Sequence, residues 1–229
     1  MVERPVQFTF EERAAESPLV ERIWYTQSAA AGSFISTAAT QWELVVMVQQ
    51  GEMTVTLHGP ETKATPAPCP ADAEFWAVRF HVGTFMAALP NSVLVDAPIN
   101  LPMAAGRSFW LQGATWEVPT FDNADVFVER LVREALLVQE PVVAAVLQQR
   151  PLDLSLRTIQ RRFVYATGLT YGALDQIQRA EQAVALLEQG VSILDTVDQL
   201  GYADQPHLTR SLKRFMGQTP AQLLRRNHT

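Results

Sequence analysis

Hydrophobic and polar positions follow two different rhythms along the chain. In Met53-Thr54-Val55-Thr56-Leu57-His58 apolar and polar residues alternate with period two, the pattern of a strand with one buried face. Ahead of it, Glu43-Leu44-Val45-Val46-Met47-Val48 makes a second strand, and Gly51 between them supplies the positive φ that a tight hairpin needs. A third strand is predicted over Glu74–Val82, with shorter ones at Ser92–Val95 and Ser108–Leu111. Eight of the 14 prolines fall between Pro60 and Pro119, a density that forbids long helices. Residues 18–118 therefore read as many short strands in a small barrel or sandwich.

After Pro119 the period lengthens to that of a helix. Asp122 or Asn123 can cap a helix running to about Val138, with Phe127, Leu131, Ala135 and Val138 on one stripe. Glu140-Pro141 breaks it, and a short helix over Val142–Gln149 ends at Arg150-Pro151. Between Tyr171 and about Glu188, Ala173, Ile177, Ala180, Val184 and Leu187 step along a narrow apolar seam, and Asp175 and Arg179 form an i, i+4 ion pair.

The C-terminal segment repeats itself at an offset of 49 residues. Ile159 falls on Leu208, Arg161 on Arg210, Phe163 on Leu212, Gly168 on Gly217 and Thr170 on Thr219. Ser155 and Asp204, both good helix N-caps, also coincide. In each copy a capped helix of about three turns ends at a glycine suited to a C′ position. Ile159, Phe163 and Ala166 form the inner stripe of the first, and Leu208, Leu212 and Phe215 that of the second. Arg157, Gln160 and Arg161 face outward in one, Gln205, Thr209, Arg210 and Lys213 in the other. Arg, Gln and Thr are the side chains that bond base edges and phosphates in a major groove, although most Arg-bearing helix faces are merely solvated. The duplication of Arg at matched positions favours the groove. Each of these helices follows a shorter one, and Ser192–Tyr202 with Gly201 at its turn has the helix-turn-helix form. The intervening helix is roughly 25 Å long at about 1.5 Å per residue, near the spacing of successive grooves on one face of a duplex.

Charge sharpens the division. The whole chain of 229 residues carries a formal −6, which argues against a polyanion partner. Yet residues 1–140 hold 8 Lys/Arg against 17 Asp/Glu, while residues 141–229 hold 10 against 7. Such asymmetry is expected when a nucleic-acid module is fused to something else. The N-terminus, with Glu3, Glu11 and Glu12, has no apolar stretch of the signal-peptide kind, and the five-residue aliphatic run Leu44–Val48 is far short of a membrane span. A single cysteine, Cys69, excludes an internal disulfide and fits a reducing compartment, so the chain is expected to be soluble and cytoplasmic.

Residues 155–226 resemble the double helix-turn-helix DNA-binding domain of the AraC/XylS family of bacterial transcription regulators. Leu154–Phe163 with Thr167-Gly168-Leu169 resembles its first recognition helix. Gly201–Phe215 with Gly217 and Thr219-Pro220 resembles the signature around its second, and Arg179, Ala183, Leu186 and Leu187 resemble its linker helix. The resemblance implies an α+β chain: a β-rich, cupin-like small-barrel sensor or dimerisation domain over 1–119, a connecting helix over 120–140, and an all-α DNA-binding domain over 141–229. Carried over by position, Arg157, Gln160 and Arg161 reach DNA from the first helix. Gln205, Thr209 and Arg210 do so from the second, with Lys213 on phosphate and His207 structural. Helices 156–167 and 205–216 would enter successive major grooves of double-stranded DNA. The other partners implied are a small-molecule effector, a second copy of the chain and, for an activator, RNA polymerase. The sequence departs from the family at Pro206, at Thr196-Val197, and at Gln148, where a small buried Ala is usual.

The N-terminal half offers less chemistry. Trp24, Trp42, Phe75 and Trp76, with Phe80 and Phe85, either line an apolar ligand pocket or form core, and core is the ordinary fate of such side chains. Phe127, Leu131 and Val138 either pair with a symmetry mate or cover the barrel's end. An alternative function is a cupin-like binder or enzyme whose helical tail is a relic. Against the enzyme, His58 and His81 with Glu43, Glu52 and Glu74 do not make a metal triad, and nucleophile-elbow, P-loop and dinucleotide motifs are missing. No catalytic residue, metal or cofactor is expected. Cys69, placed in a loop between Pro68 and Pro70, reads as inert.

Overall fold

A computed structural model describes residues 8–226, so Glu3 lies outside the described residues. The chain is α+β. Its strands are β1 (Phe8–Arg13), β2 (Val20–Ser28), β3 (Gly32–Ser36), β4 (Glu43–Gln49), β5 (Glu52–His58), β6 (Thr65–Cys69) and β7 (Ala73–Phe80). Then come β8 (Thr84–Met86), β9 (Ile99–Leu101), β10 (Met103–Ala104), β11 (Ser108–Leu111), β12 (Ala114–Glu117) and β13 (Leu137–Gln139). The helices are α1 (Ala124–Arg133), α2 (Pro141–Leu147), α3 (Leu156–Thr167), α4 (Tyr171–Glu188), α5 (Ile193–Gln199), α6 (Gln205–Met216) and α7 (Pro220–Arg226).

By packing, the chain forms two compact units. One comprises residues up to Phe34, Gln41–Pro60 and Pro68–Thr170; the other comprises Ile35–Thr40, Glu61–Ala67 and the chain from Tyr171 onward. These packing units do not follow the segments 1–119, 120–140 and 141–229 read from the sequence.

The first unit is built on a six-stranded antiparallel sheet in the order β1-β2-β7-β4-β5-β9. The β4–β5 hairpin pairs Gln49 with Glu52, leaving a two-residue turn in which Gln50 (φ 51°) and Gly51 (φ 83°) are both left-handed. That is the type I′ turn, whose twist matches the strands it joins. Alternation then sends Leu44, Val46, Val55 and Leu57 inward, all at most 1% exposed. A three-stranded sheet, β10-β11-β12, brings Phe109, Leu111 and Trp116 to the same core, and α1 adds Phe127, Val128 and Leu131.

Three expectations change here. The helix capped at Asn123 ends at Arg133, not Val138: Ala135 turns left-handed (φ 54°), and Leu137–Gln139 becomes β13, paired with β8. Sheet pairing has overridden local propensity, so 120–140 is a helix followed by a strand. Its Phe127 and Leu131 are buried in the unit's own core. Ser92–Val95 is no strand, since Asn91–Val93 makes a 3-10 turn after Pro90 with Leu94 buried behind it. Cys69 is not in a loop but ends β6, buried and with a free thiol. The prolines of β6 hid this strand, which among the described residues forms a two-stranded sheet with β3, and such a ribbon can tolerate their missing donors.

In the second unit α4 is the spine, in contact with α5, α6 and α7. Its buried stripe is Leu174, Ile177, Ala180, Ala183 and Leu187; Ala173 and Val184, expected on the seam, are half-buried at its edge.

Candidate nucleic-acid interface

The first helix-turn-helix unit, α2 and α3, belongs to the sheet-bearing unit. Glu140 starts α2 by accepting from the Val142 amide (3.0 Å), and the same carboxylate takes both Nε (3.0 Å) and Nη2 (2.7 Å) of Arg162 on α3. One acidic residue, read from sequence only as a helix breaker, therefore both caps α2 and ties it to α3. The small buried residue of α2 is Ala145, and Gln148 is the exposed C-cap, so a polar side chain there costs nothing. Ser155 caps α3 by accepting from the Thr158 amide (3.3 Å). Gly168 closes it with φ 75° and its amide on the Val164 carbonyl (2.8 Å). Phe163 and Ala166 are buried and Ile159 half-buried, which leaves Arg157, Gln160 and Arg161 exposed together on the outer face. The back of α3 is held by Asn91, whose amide donates to the Ala166 carbonyl (2.7 Å), and by Tyr165, edge-on to Phe85.

The second unit, α5 and α6, has the same grammar. Ser192 caps α5 through the Asp195 amide (3.1 Å). Thr196, where the family commonly has an aliphatic residue, is fully buried with its hydroxyl donating to the Ser192 carbonyl (2.8 Å), so the polar atom is satisfied locally. Gly201 makes the turn at φ 65°. Tyr202 is then buried, its hydroxyl bonded to Ser211 (3.2 Å), and burial pushes its phenol above the ordinary range. Asp204 caps α6 through the His207 amide (2.6 Å), and His207 Nδ1 accepts from the Ala203 amide (3.3 Å). Pro206 occupies the first turn, where a backbone donor is spare.

Leu208 and Leu212 are fully buried and Phe215 is 5% exposed; Gln205, Arg210 and Lys213 are exposed, and Thr209 is half-buried beside them. A cavity of about 320 Å³ between α4 and α6 flanks this face, lined by Arg179, Tyr202, His207, Arg210 and Arg214 with Asp175. Each face thus presents cations and amides on a rigid, doubly capped helix, the equipment for contacting phosphates and base edges.

The four aromatic residues of the pocket reading are not brought together. Trp42 and Trp76 are in the core, donating to the carbonyls of Thr84 (2.6 Å) and Pro119 (2.7 Å). Strand register places Trp24 and Phe75 on the opposite face of the sheet, where Trp24 donates to Glu43 (3.1 Å) and stacks on Phe10. Among the described residues, no three His, Cys, Asp or Glu are grouped to hold a metal ion. Among them too, no helix is long and apolar enough to cross a membrane.

This is the architecture of a helix-turn-helix DNA-binding domain, built twice. The family described as "Helix-turn-helix domain" matches residues 150–226, and that stretch is a helix-turn-helix domain of the AraC type. Among curated relatives, the HTH-type transcriptional regulator RipA of Corynebacterium glutamicum is 31% identical over 114 residues, 44% of this chain and 34% of RipA. The HTH-type transcriptional regulator VirS of Mycobacterium tuberculosis is 38% identical over 72 residues, 31% of this chain and 21% of VirS. The chain thus spans about a third or less of the length of these relatives. Among solved structures, ToxT of Vibrio cholerae aligns over 96% of this chain and 98% of its own, at 8% identity and a TM-score of 0.40.

Proposed function

We propose that the chain is a sequence-specific transcription regulator of the cytoplasm, not an enzyme, that reads double-stranded DNA with α3 and α6 in successive major grooves. The observation that carries this reading is the paired exposure of Arg157, Gln160 and Arg161 on one helix and Gln205, Arg210 and Lys213 on the other, with Thr209 beside them. The AraC-type match over 150–226 and the regulators it resembles support it. At about 1.5 Å per residue the 18 residues of α4 span about 27 Å, a stiff spacer of the right order for sites one duplex turn apart. In this reading the 1–119 segment is the sensor or dimerisation part, which a small-molecule effector or a second copy of the chain would engage. RNA polymerase joins as a partner if regulation is by activation.

Selection of bound duplexes from a random pool tests the proposal. Two short preferred blocks about one helical turn apart are expected; a single block would remove α3 from the reading, and no enrichment would remove the reading itself.

A further inference from the structure

Helices α3 and α6 match in sequence but finish differently. The last four carbonyls of any helix lack partners within it. At the end of α6, the Arg214 carbonyl accepts from the Ala64 amide (2.8 Å) and the Phe215 carbonyl from the Ala38 amide (2.7 Å). The donors come from 177 and 150 residues earlier in the chain, in Ile35–Thr40 and Glu61–Ala67, which pack within the helical unit. The two segments are joined to each other: Ala39 and Glu61 exchange backbone bonds of 3.0 Å each way, and Ser36 Oγ donates to Glu61 Oε2 (2.7 Å). Ile35 closes over the helix end so tightly that a Cβ on Gly217 would lie 2.6 Å from its Cγ2, and Ala38 and Thr40 are buried (1% and 2% exposed).

We infer that these segments form a clasp on the C-terminal end of α6, an intramolecular docking surface through which the N-terminal part of the chain positions the second DNA-reading helix. The clasp touches Arg214, Phe215 and Gly217 and leaves Gln205, Arg210 and Lys213 exposed. It is therefore compatible with an occupied groove, and it acts by holding the helix rather than by covering it. A helix end that frays must be ordered again on binding, and that cost is subtracted from affinity. Whatever moves residues 35–40 or 61–67 changes DNA affinity without touching a DNA contact.

The inference rests on the proposed DNA-binding reading for its affinity arm only. Hydrogen exchange of the 229-residue chain is expected to show the Ala38 and Ala64 amides protected, alongside the last turn of α6. Ala64→Pro, which deletes one donor, and Ile35→Ser, which removes the cover, should each speed exchange at the remaining clasp amide and in that last turn at least tenfold. Amides in α4 and β4 should be unchanged, and Ile35→Val should behave as wild type. On the preferred duplex both variants should weaken binding about tenfold while the slope of log affinity against log salt stays the same, since no phosphate contact is lost. Free-chain exchange at Ala38 and Ala64 in the wild type would overturn the clasp. Lost protection with unchanged affinity, or a changed salt slope, would overturn its control of DNA binding. A wild type that binds no duplex would sink the DNA reading while the exchange data still decided the clasp.

Discussion

Salt dependence separates the roles of the exposed cations most directly. Four of them lie on the two helix faces proposed to read DNA: Arg157 and Arg161 on α3, Arg210 and Lys213 on α6. With Arg210 on a base edge and the other three on phosphates, log affinity should fall with log salt at a slope of about −2.7, from about −0.9 per phosphate on B-form DNA. Between 50 and 200 mM salt that slope predicts a loss of about 40-fold; removing one contact predicts about 12-fold instead. Lys213→Ala, in the last turn of α6, should therefore flatten the slope by about 0.9 and weaken preferred and scrambled duplexes alike. Arg210→Ala should cost about 1–3 kcal/mol, about 5- to 150-fold, on the preferred duplex and far less on a scrambled one, because a base contact is lost. Fluorescence anisotropy titrations of labelled duplexes at four or more salt concentrations measure both quantities. If Lys213→Ala leaves the slope unchanged, or Arg210→Ala weakens every duplex equally, α6 does not lie in the groove as described.

Three further outcomes follow from the packing. Leu212→Ala, at a fully buried position of α6, should lower stability by about 2–5 kcal/mol in urea unfolding, depending on how far the site collapses. Gly168→Ala and Gly190→Ala both place a side chain at positive φ, about 1–2 kcal/mol by itself, but only at Gly168 would the Cβ collide, 2.6 Å from Val95 Cγ2 and 2.9 Å from the Asn91 carbonyl; Gly168→Ala should have the lower melting temperature. Burial pushes the Asp125 carboxyl up, but the Glu16 amide and the Arg13 guanidinium outweigh it and hold the group below its ordinary range. Its stabilisation is thus present above the unfolded value of about 3.9 and lost as pH falls through the folded one, so Asp125→Asn should flatten the acid limb of a stability profile below about pH 4.

Where one local rule decides an element, the sequence is enough to place it. The hairpin of β4 and β5 is legible because alternation and Gly51 act on neighbouring residues, and α3 and α6 begin and end where Ser155, Asp204, Gly168 and Gly217 put them. Elements decided by distant partners are not legible. Leu137–Gln139 continues an apolar helical stripe in sequence, yet it pairs with β8 because Thr84–Met86 offers an open edge fifty residues away. In Thr65–Cys69, prolines that deny a central strand are harmless in a two-stranded ribbon. The tryptophans illustrate the same limit: a side chain's face depends on register, and adjacent Phe75 and Trp76 necessarily go to opposite sides of the sheet.

The candidate interface was legible to a different depth in its two halves. The outward faces are written twice in the sequence, because a helix face depends only on spacing within the helix. What stands behind each helix is not repeated. Behind α3 are Asn91, Phe85 and the Glu140 carboxylate, and behind the end of α6 are the amides of Ala38 and Ala64. The offset of 49 residues repeats the exposed faces proposed to read DNA and is silent on what positions them. The same division predicts where substitutions will separate function from fold. Changes at Arg157, Arg161, Arg210 and Lys213 should alter binding with stability intact, whereas changes at Asn91 or Glu140 should reach DNA only by displacing α3.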